Sequence, residues 1–68
     1  MDPNEALYAA LVDVAESKAT GSKVAAIIVD CYEAGWETGD IYEALNEGGY
    51  DLSFGTIEGM ARVAAGRR

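Results

Sequence analysis

The 68-residue sequence has no histidine, a single cysteine and a single proline, and sets five basic residues against twelve acidic ones. Without histidine, no side chain has an ordinary pKa near neutrality, and the commonest general base and metal ligand is missing. With Cys31 alone, neither an internal disulfide nor a cysteine-built zinc site can form. No Asp/Asn series has the spacing of a calcium loop, and no glycine-rich loop follows a strand-like run to cradle phosphate. Paired carboxylates for acid and base work would need a cleft that short helices hardly provide. The expectation is a protein that is not an enzyme, with no catalytic residue, no cofactor, no metal and no small-molecule substrate.

Long hydrophobic runs are also absent. No stretch approaches the roughly 18 to 20 apolar residues of a membrane span. The start, Met1-Asp2-Pro3-Asn4-Glu5, is acidic, unlike a signal peptide. These features predict a cytoplasmic, intracellular protein that does not enter a membrane. Half of the residues are nevertheless hydrophobic, too many for a disordered tail. A chain this short buries only about 60% of the surface it exposes when unfolded. At roughly 0.05 to 0.15 kcal/mol per residue, its stability should total about 3 to 10 kcal/mol.

The formal net charge of −7 is unevenly spread. Residues 1 to 50 hold ten acids against Lys18 and Lys23, whereas residues 51 to 68 hold Asp51 and Glu58 against Arg62, Arg67 and Arg68. An acidic body is joined to a mildly basic tail. Such a body repels phosphate backbones and favours basic partners. The same acidic, lysine-poor composition would also suit a high-salt cytoplasm.

The periodicity predicts an all-α protein of one domain, 1–68, with four short helices at about 3–18, 23–34, 39–47 and 54–65. Asp2 is placed to cap the first, with Pro3 at its first position and Glu5 reaching back. Leu7, Leu11 and Val14 share one face, with Tyr8, Val12 and Ala15 beside it, and Thr20-Gly21 is the expected stop. Ser22 is the expected cap of a second helix that is apolar nearly all round, from Val24 to Tyr32, with Cys31 as a small buried hydrophobe. Gly35 closes it, Trp36 follows as a core anchor, and Thr38 is the expected cap of a third helix with Ile41, Ala44 and Leu45 inward. Gly48-Gly49 stops that helix, Tyr50-Asp51-Leu52 connects, and Ser53 caps a fourth helix whose buried face holds Ile57, Met60, Ala61 and Ala64. No segment alternates with strand period. Helices one and two carry apolar stripes wider than a four-helix monomer covers easily, which predicts a homodimer through them.

Within Thr38 to Met60, Ile41 and Leu45 stand four apart, Leu52-Ser53 mark a turn, and Ile57 lies four residues after Ser53, with Met60 one turn further. This skeleton resembles a helix-turn-helix domain. The run Ala25 to Gly49, with Tyr32-Glu33-Ala34-Gly35-Trp36 followed by Ile41 and Ala44-Leu45-Asn46-Glu47-Gly48-Gly49, is similar to the C-terminal helical module of serine recombinases and to small phage regulators. The likeness covers about half of the chain. It implies that the last three helices form a tri-helical arrangement, and a regulator or inhibitor of phage or mobile-element origin would fit it. It also implies that helix four could enter a DNA major groove, with Ser53, Thr56, Glu58 and Arg62 as candidates at base edges and Arg67 and Arg68 near the phosphates.

The charges weigh against DNA, because the helix that would meet the phosphate backbone carries Asp40, Glu43 and Glu47. Those three recur at i, i+3 and i+7 and so share one exposed face, and Asp30, Glu33 and Glu37 nearly repeat the pattern around the end of helix two. They are either a solvated surface or a stripe that meets a basic groove on a protein partner. Tyr42 and Phe54 lie off the inward faces, and exposed aromatics favour interfaces. The leading expectation is a small acidic interaction protein with a basic protein partner; a sequence-specific DNA-binding regulator is the alternative.

Overall fold

A computed structural model describes residues 3–19 and 21–67. The chain is all-α, with helices α1 (Pro3–Glu16), α2 (Gly21–Glu33), α3 (Thr38–Glu47) and α4 (Phe54–Gly66) and no strand among the described residues. The expected cap Asp2, the expected stop at Thr20 and the basic Arg68 lie outside the described residues.

The ends of α1, α2 and α3 share one device, in which a left-handed residue reverses the chain and an apolar residue follows it. After α1, Lys18 takes φ 54°, its N–H bonds the Ala15 carbonyl at 3.2 Å, and the Ala19 N–H bonds the Val14 carbonyl at 3.0 Å. After α2, Gly35 takes φ 93°, with bonds from the Gly35 N–H to Tyr32 and from the Trp36 N–H to Cys31, both 3.0 Å. After α3, Gly49 takes φ 105°, with Gly49 bonded to Asn46 at 3.1 Å and Tyr50 to Leu45 at 2.9 Å. Each is a Schellman motif, satisfying carbonyls that a helix end otherwise leaves open. The two glycines adopt this conformation without a steric cost; Lys18 does not.

Three helix starts or stops differ from the sequence reading. Because the turn at Lys18 ends α1 at Glu16, α2 begins at Gly21 and Ser22 lies inside its first turn rather than capping it. The cap of α3 is Glu37, not Thr38, and the Asp40 carboxylate accepts the Glu37 N–H at 3.1 Å. Thr38 is drawn elsewhere, its hydroxyl lying 2.6 Å from that of Tyr32. Ser53 caps α4 as read, its Oγ accepting the Thr56 N–H at 3.2 Å.

The core collects Leu11 and Ala15 from α1, Val24, Ile28, Val29 and Cys31 from α2, Ile41, Ala44 and Leu45 from α3, and Ile57 and Ala61 from α4. The most extensive packing is of α2 on α4, α1 on α3 and α1 on α2. Trp36 is half-buried against this cluster rather than central in it. At Gly48 the end of α3 touches α1 so closely that a Cβ there would lie 2.5 Å from the Ala15 Cβ and 2.6 Å from the Val12 carbonyl oxygen. The Tyr50 hydroxyl then donates to the Ala19 carbonyl at 2.7 Å, tying the α3–α4 connection to the end of α1. No helix among the described residues is long and apolar enough to cross a membrane.

Candidate functional site

The packing divides the charges by side. Paired helices α1 and α3 carry Glu5, Asp13, Glu16, Asp40, Glu43 and Glu47 and no lysine or arginine. Paired helices α2 and α4 carry Asp30, Glu33 and Glu58 against Lys23 and Arg62, with Arg67 as the C-cap of α4. One side of the molecule is therefore strongly acidic and the other nearly balanced, and the potential of the acidic side extends about 8 Å into solution at physiological salt.

A concave site of about 360 Å³ opens on the acidic side, where the N-terminal half of α1 meets the α2–α3 connection and α3. Its walls include Tyr8, Trp36, Asp40 and Glu43. Local backbone chemistry puts Trp36 there. The reversal at Gly35 turns the chain back, and the Trp36 N–H closes the motif on the Cys31 carbonyl. The indole Nε1 then donates to the Asn4 Oδ1 at 3.1 Å, and the Tyr8 ring stands 6.4 Å from the indole at 37°. Asn4 and Tyr8 are one helical turn apart, so one face of α1 supplies both contacts.

The three carboxylates of α3 are all exposed, but they do different things. Asp40 is held by its bond from the Glu37 N–H, and Glu47 accepts a hydrogen bond from the Tyr8 hydroxyl. Glu43 lines the concavity with no hydrogen bond or ion pair among the described residues. An aromatic pair edged by carboxylates attracts cations twice over: ring faces draw a cation toward their negative quadrupole, and the carboxylates supply full charge and hydrogen-bond acceptors.

Of the second acidic set only Glu37 adjoins the first, its N–H bonded to the Asp40 carboxylate. Glu33 borders a shallow depression between α2 and α4 with Glu58 and Arg62, Glu37 is exposed at the cap of α3, and Asp30 is exposed on α2. Tyr42 also lies apart, half-buried with its ring 5.2 Å from that of Phe54 at 55°. Phe54 is 50% exposed, so this pair forms an aromatic patch of its own where α3 meets α4. The sequence reading missed Asn4, Tyr8 and the outward role of Trp36. The signal available for Trp36 was its place directly after a helix-ending glycine, where an apolar residue closes the turn at the surface.

The residues expected to face DNA do not share one surface. Ser53 and Thr56 are engaged with each other, their hydroxyl oxygens 2.8 Å apart. Thr56 and Arg67 border a groove on one flank of α4, while Glu58 and Arg62 border the depression on the other. At 100° per residue, the stripe opposite the buried Ile57 and Ala61 and the half-buried Ala64 holds Gly55, Gly59, Arg62 and Gly66, which offers a base edge little but Arg62.

Cys31 is fully buried, and its thiol is pushed up from 9.0 to about 11, first by burial and then by the neighbouring charge of Asp30. It is a packing residue, since the reactive form is the thiolate. Comparison of the chain with protein-family models, with curated proteins and with solved structures found no match.

Proposed function

We propose that this chain is a non-enzymatic binding protein whose α1–α3 side receives a basic segment of a protein partner. A lysine or arginine side chain enters the concavity between Tyr8, Trp36 and Glu43. The observation that carries this reading is the Tyr8–Trp36 ring pair beside the unengaged Glu43 carboxylate, on a side of the molecule without a base in its helices. Cation–ring attraction is worth about 0.5 to 2 kcal/mol, depending on how dry the contact is. The surrounding carboxylates act chiefly on encounter: they steer a basic surface toward the site and make association salt-sensitive. A protein of this kind regulates or inhibits by occupying a basic surface that its partner otherwise uses.

The test is recovery of a partner from a nuclease-treated lysate, by wild type and by an Asp40→Asn, Glu43→Gln, Glu47→Gln triple variant. Each replacement keeps its oxygen acceptor, so the bonds from Glu37 and Tyr8 can persist while three charges are removed. The expected outcome is a partner captured by wild type, released by rising salt and lost with the triple variant. Capture that is indifferent to the triple change contradicts the proposal.

A further inference from the structure

The balanced side of the molecule carries a second feature, separate from the acidic site. Between α2 and α4 runs an open apolar groove of about 660 Å³, lined by Ala25 and Ala26 on α2 and by Gly59, Met60 and Val63 on α4, with Arg67 at one end. Among the described residues its lining contains no carboxylate, in a chain that has twelve. Val63 is 57% exposed, the most of the large hydrophobic side chains among the described residues, and lines the groove.

Gly59 is one of three glycines of α4, with Gly55 and Gly66, around which a single copy leaves open space, and of the three it is the one that lines the groove. It sits inside α4, where glycine costs up to about 1 kcal/mol relative to alanine. A Cβ built on it meets nothing within 4 Å, so no neighbour among the described residues requires the gap. Gly48 shows the contrast, because there the chain itself fills the space. A bare stretch of helix beside a protruding valine one turn away is a hole and a knob on the same face.

The geometry points to a second copy of this chain as the occupant, docked about a two-fold axis with its α4 antiparallel to the first. If the axis passes beside Ala61, residue 63 of each copy falls opposite residue 59 of the other, so each Val63 enters the space that each Gly59 leaves. Knob and hole are then matched twice by one operation, as an isologous interface requires. The charges agree with this orientation. Arg67 caps the end of α4, and the exposed Asp51 lies in the connection before its start; in this register Arg67 falls opposite Gly55 of the other copy, so antiparallel pairing puts it on the side of that copy's Asp51 and away from its Arg67. Parallel pairing would set Arg67 against Arg67. Docking by this side also leaves both α1–α3 sides facing outward, where their carboxylates do not oppose each other. Of the two helices from which a dimer was expected, α2 contributes to this groove, whereas the α1 stripe is spent on the core through Leu11 and Ala15.

Sedimentation equilibrium of the full chain at about 10 to 100 µM, in physiological salt, tests this interface. The expected result is twice the chain mass. Val63→Glu, at an exposed position, should keep the helical circular dichroism and raise the dimer dissociation constant by more than about tenfold, because a buried charge would lack a partner. Arg67→Asp should weaken the dimer, and adding Asp51→Arg should restore it. A wild-type chain of single mass throughout this range overturns the inference. So does a dimer that Val63→Glu leaves intact, because another surface would then be holding it.

Discussion

Gly48→Ala adds one methyl group where α3 ends against α1. The new Cβ would sit 2.5 Å from the Ala15 Cβ and 2.6 Å from the Val12 carbonyl oxygen, against about 3.5 to 4.0 Å for carbon atoms in favourable contact. Neither obstacle is the tip of a flexible side chain, so relief requires α1 and the end of α3 to part by about 1 Å. That movement would strain the Schellman turn at Gly49 and the bond from Tyr50 to Ala19. Gly48 itself has φ −82° and ψ −4°, which alanine adopts readily, so the backbone alone would favour the substitution by about 0.4 to 1 kcal/mol. Overpacking of this kind costs about 1 to 3 kcal/mol, which outweighs that gain. A net loss of about 1 to 2 kcal/mol lowers the melting temperature of so small a domain by roughly 4 to 16 °C. Thermal and urea unfolding followed by circular dichroism would measure it, with Gly55→Ala as the control. That control meets nothing within 4 Å and should raise stability, by up to about 1 kcal/mol. A Gly48→Ala chain as stable as wild type would refute the close approach of α1 and α3 from which the acidic side is built.

Lys18→Gly relieves the left-handed strain at the end of α1, φ 54°, and should stabilise the chain by about 0.5 to 1 kcal/mol in the same melts; a loss of stability would mean that the Lys18 side chain contributes more than its backbone costs. Cys31 should resist alkylation in the folded protein at pH 8 and react once urea unfolds it; equal rates in both states would contradict its burial. The folded thiol holds its proton up to about 11, whereas an unfolded thiol releases it near 9.0. Its contribution to stability is therefore complete below pH 9 and is lost as pH rises from about 9 to 11. The difference in stability between wild type and Cys31→Ala should shrink across that window, and a constant difference would refute the assignment.

Much of the fold was legible because it follows local rules. Ile41, Ala44 and Leu45 fall on one helical face and are all fully buried, Ser53 caps α4, and Gly35 and Gly49 end α2 and α3 in the left-handed conformation. The end of α1 was not legible, since a lysine is an uncommon occupant of a turn that glycine adopts freely. Nor was the cap of α3, because the Thr38 hydroxyl is committed to Tyr32 across the α2–α3 connection. The acidic stripe was visible as spacing, yet the concavity that gives it chemistry was not. Trp36 meets Asn4 across 32 positions and Tyr8 meets Glu47 across 39, so no local pattern contains the site. Tyr42 likewise turned toward Phe54, a neighbour set by how α3 and α4 cross.

Trp36 is the only tryptophan and lines the proposed site, so its fluorescence reports that site alone. The direct measurement is a titration with short arginine- and lysine-containing peptides, matched against acidic and neutral peptides of equal length, at low and physiological salt. The account predicts a saturable change in Trp36 emission with basic peptides only, weakened by salt and reduced at least about tenfold in affinity by Glu43→Gln together with Tyr8→Ala. No response to basic peptides up to millimolar concentration, or the same response to acidic ones, would contradict it.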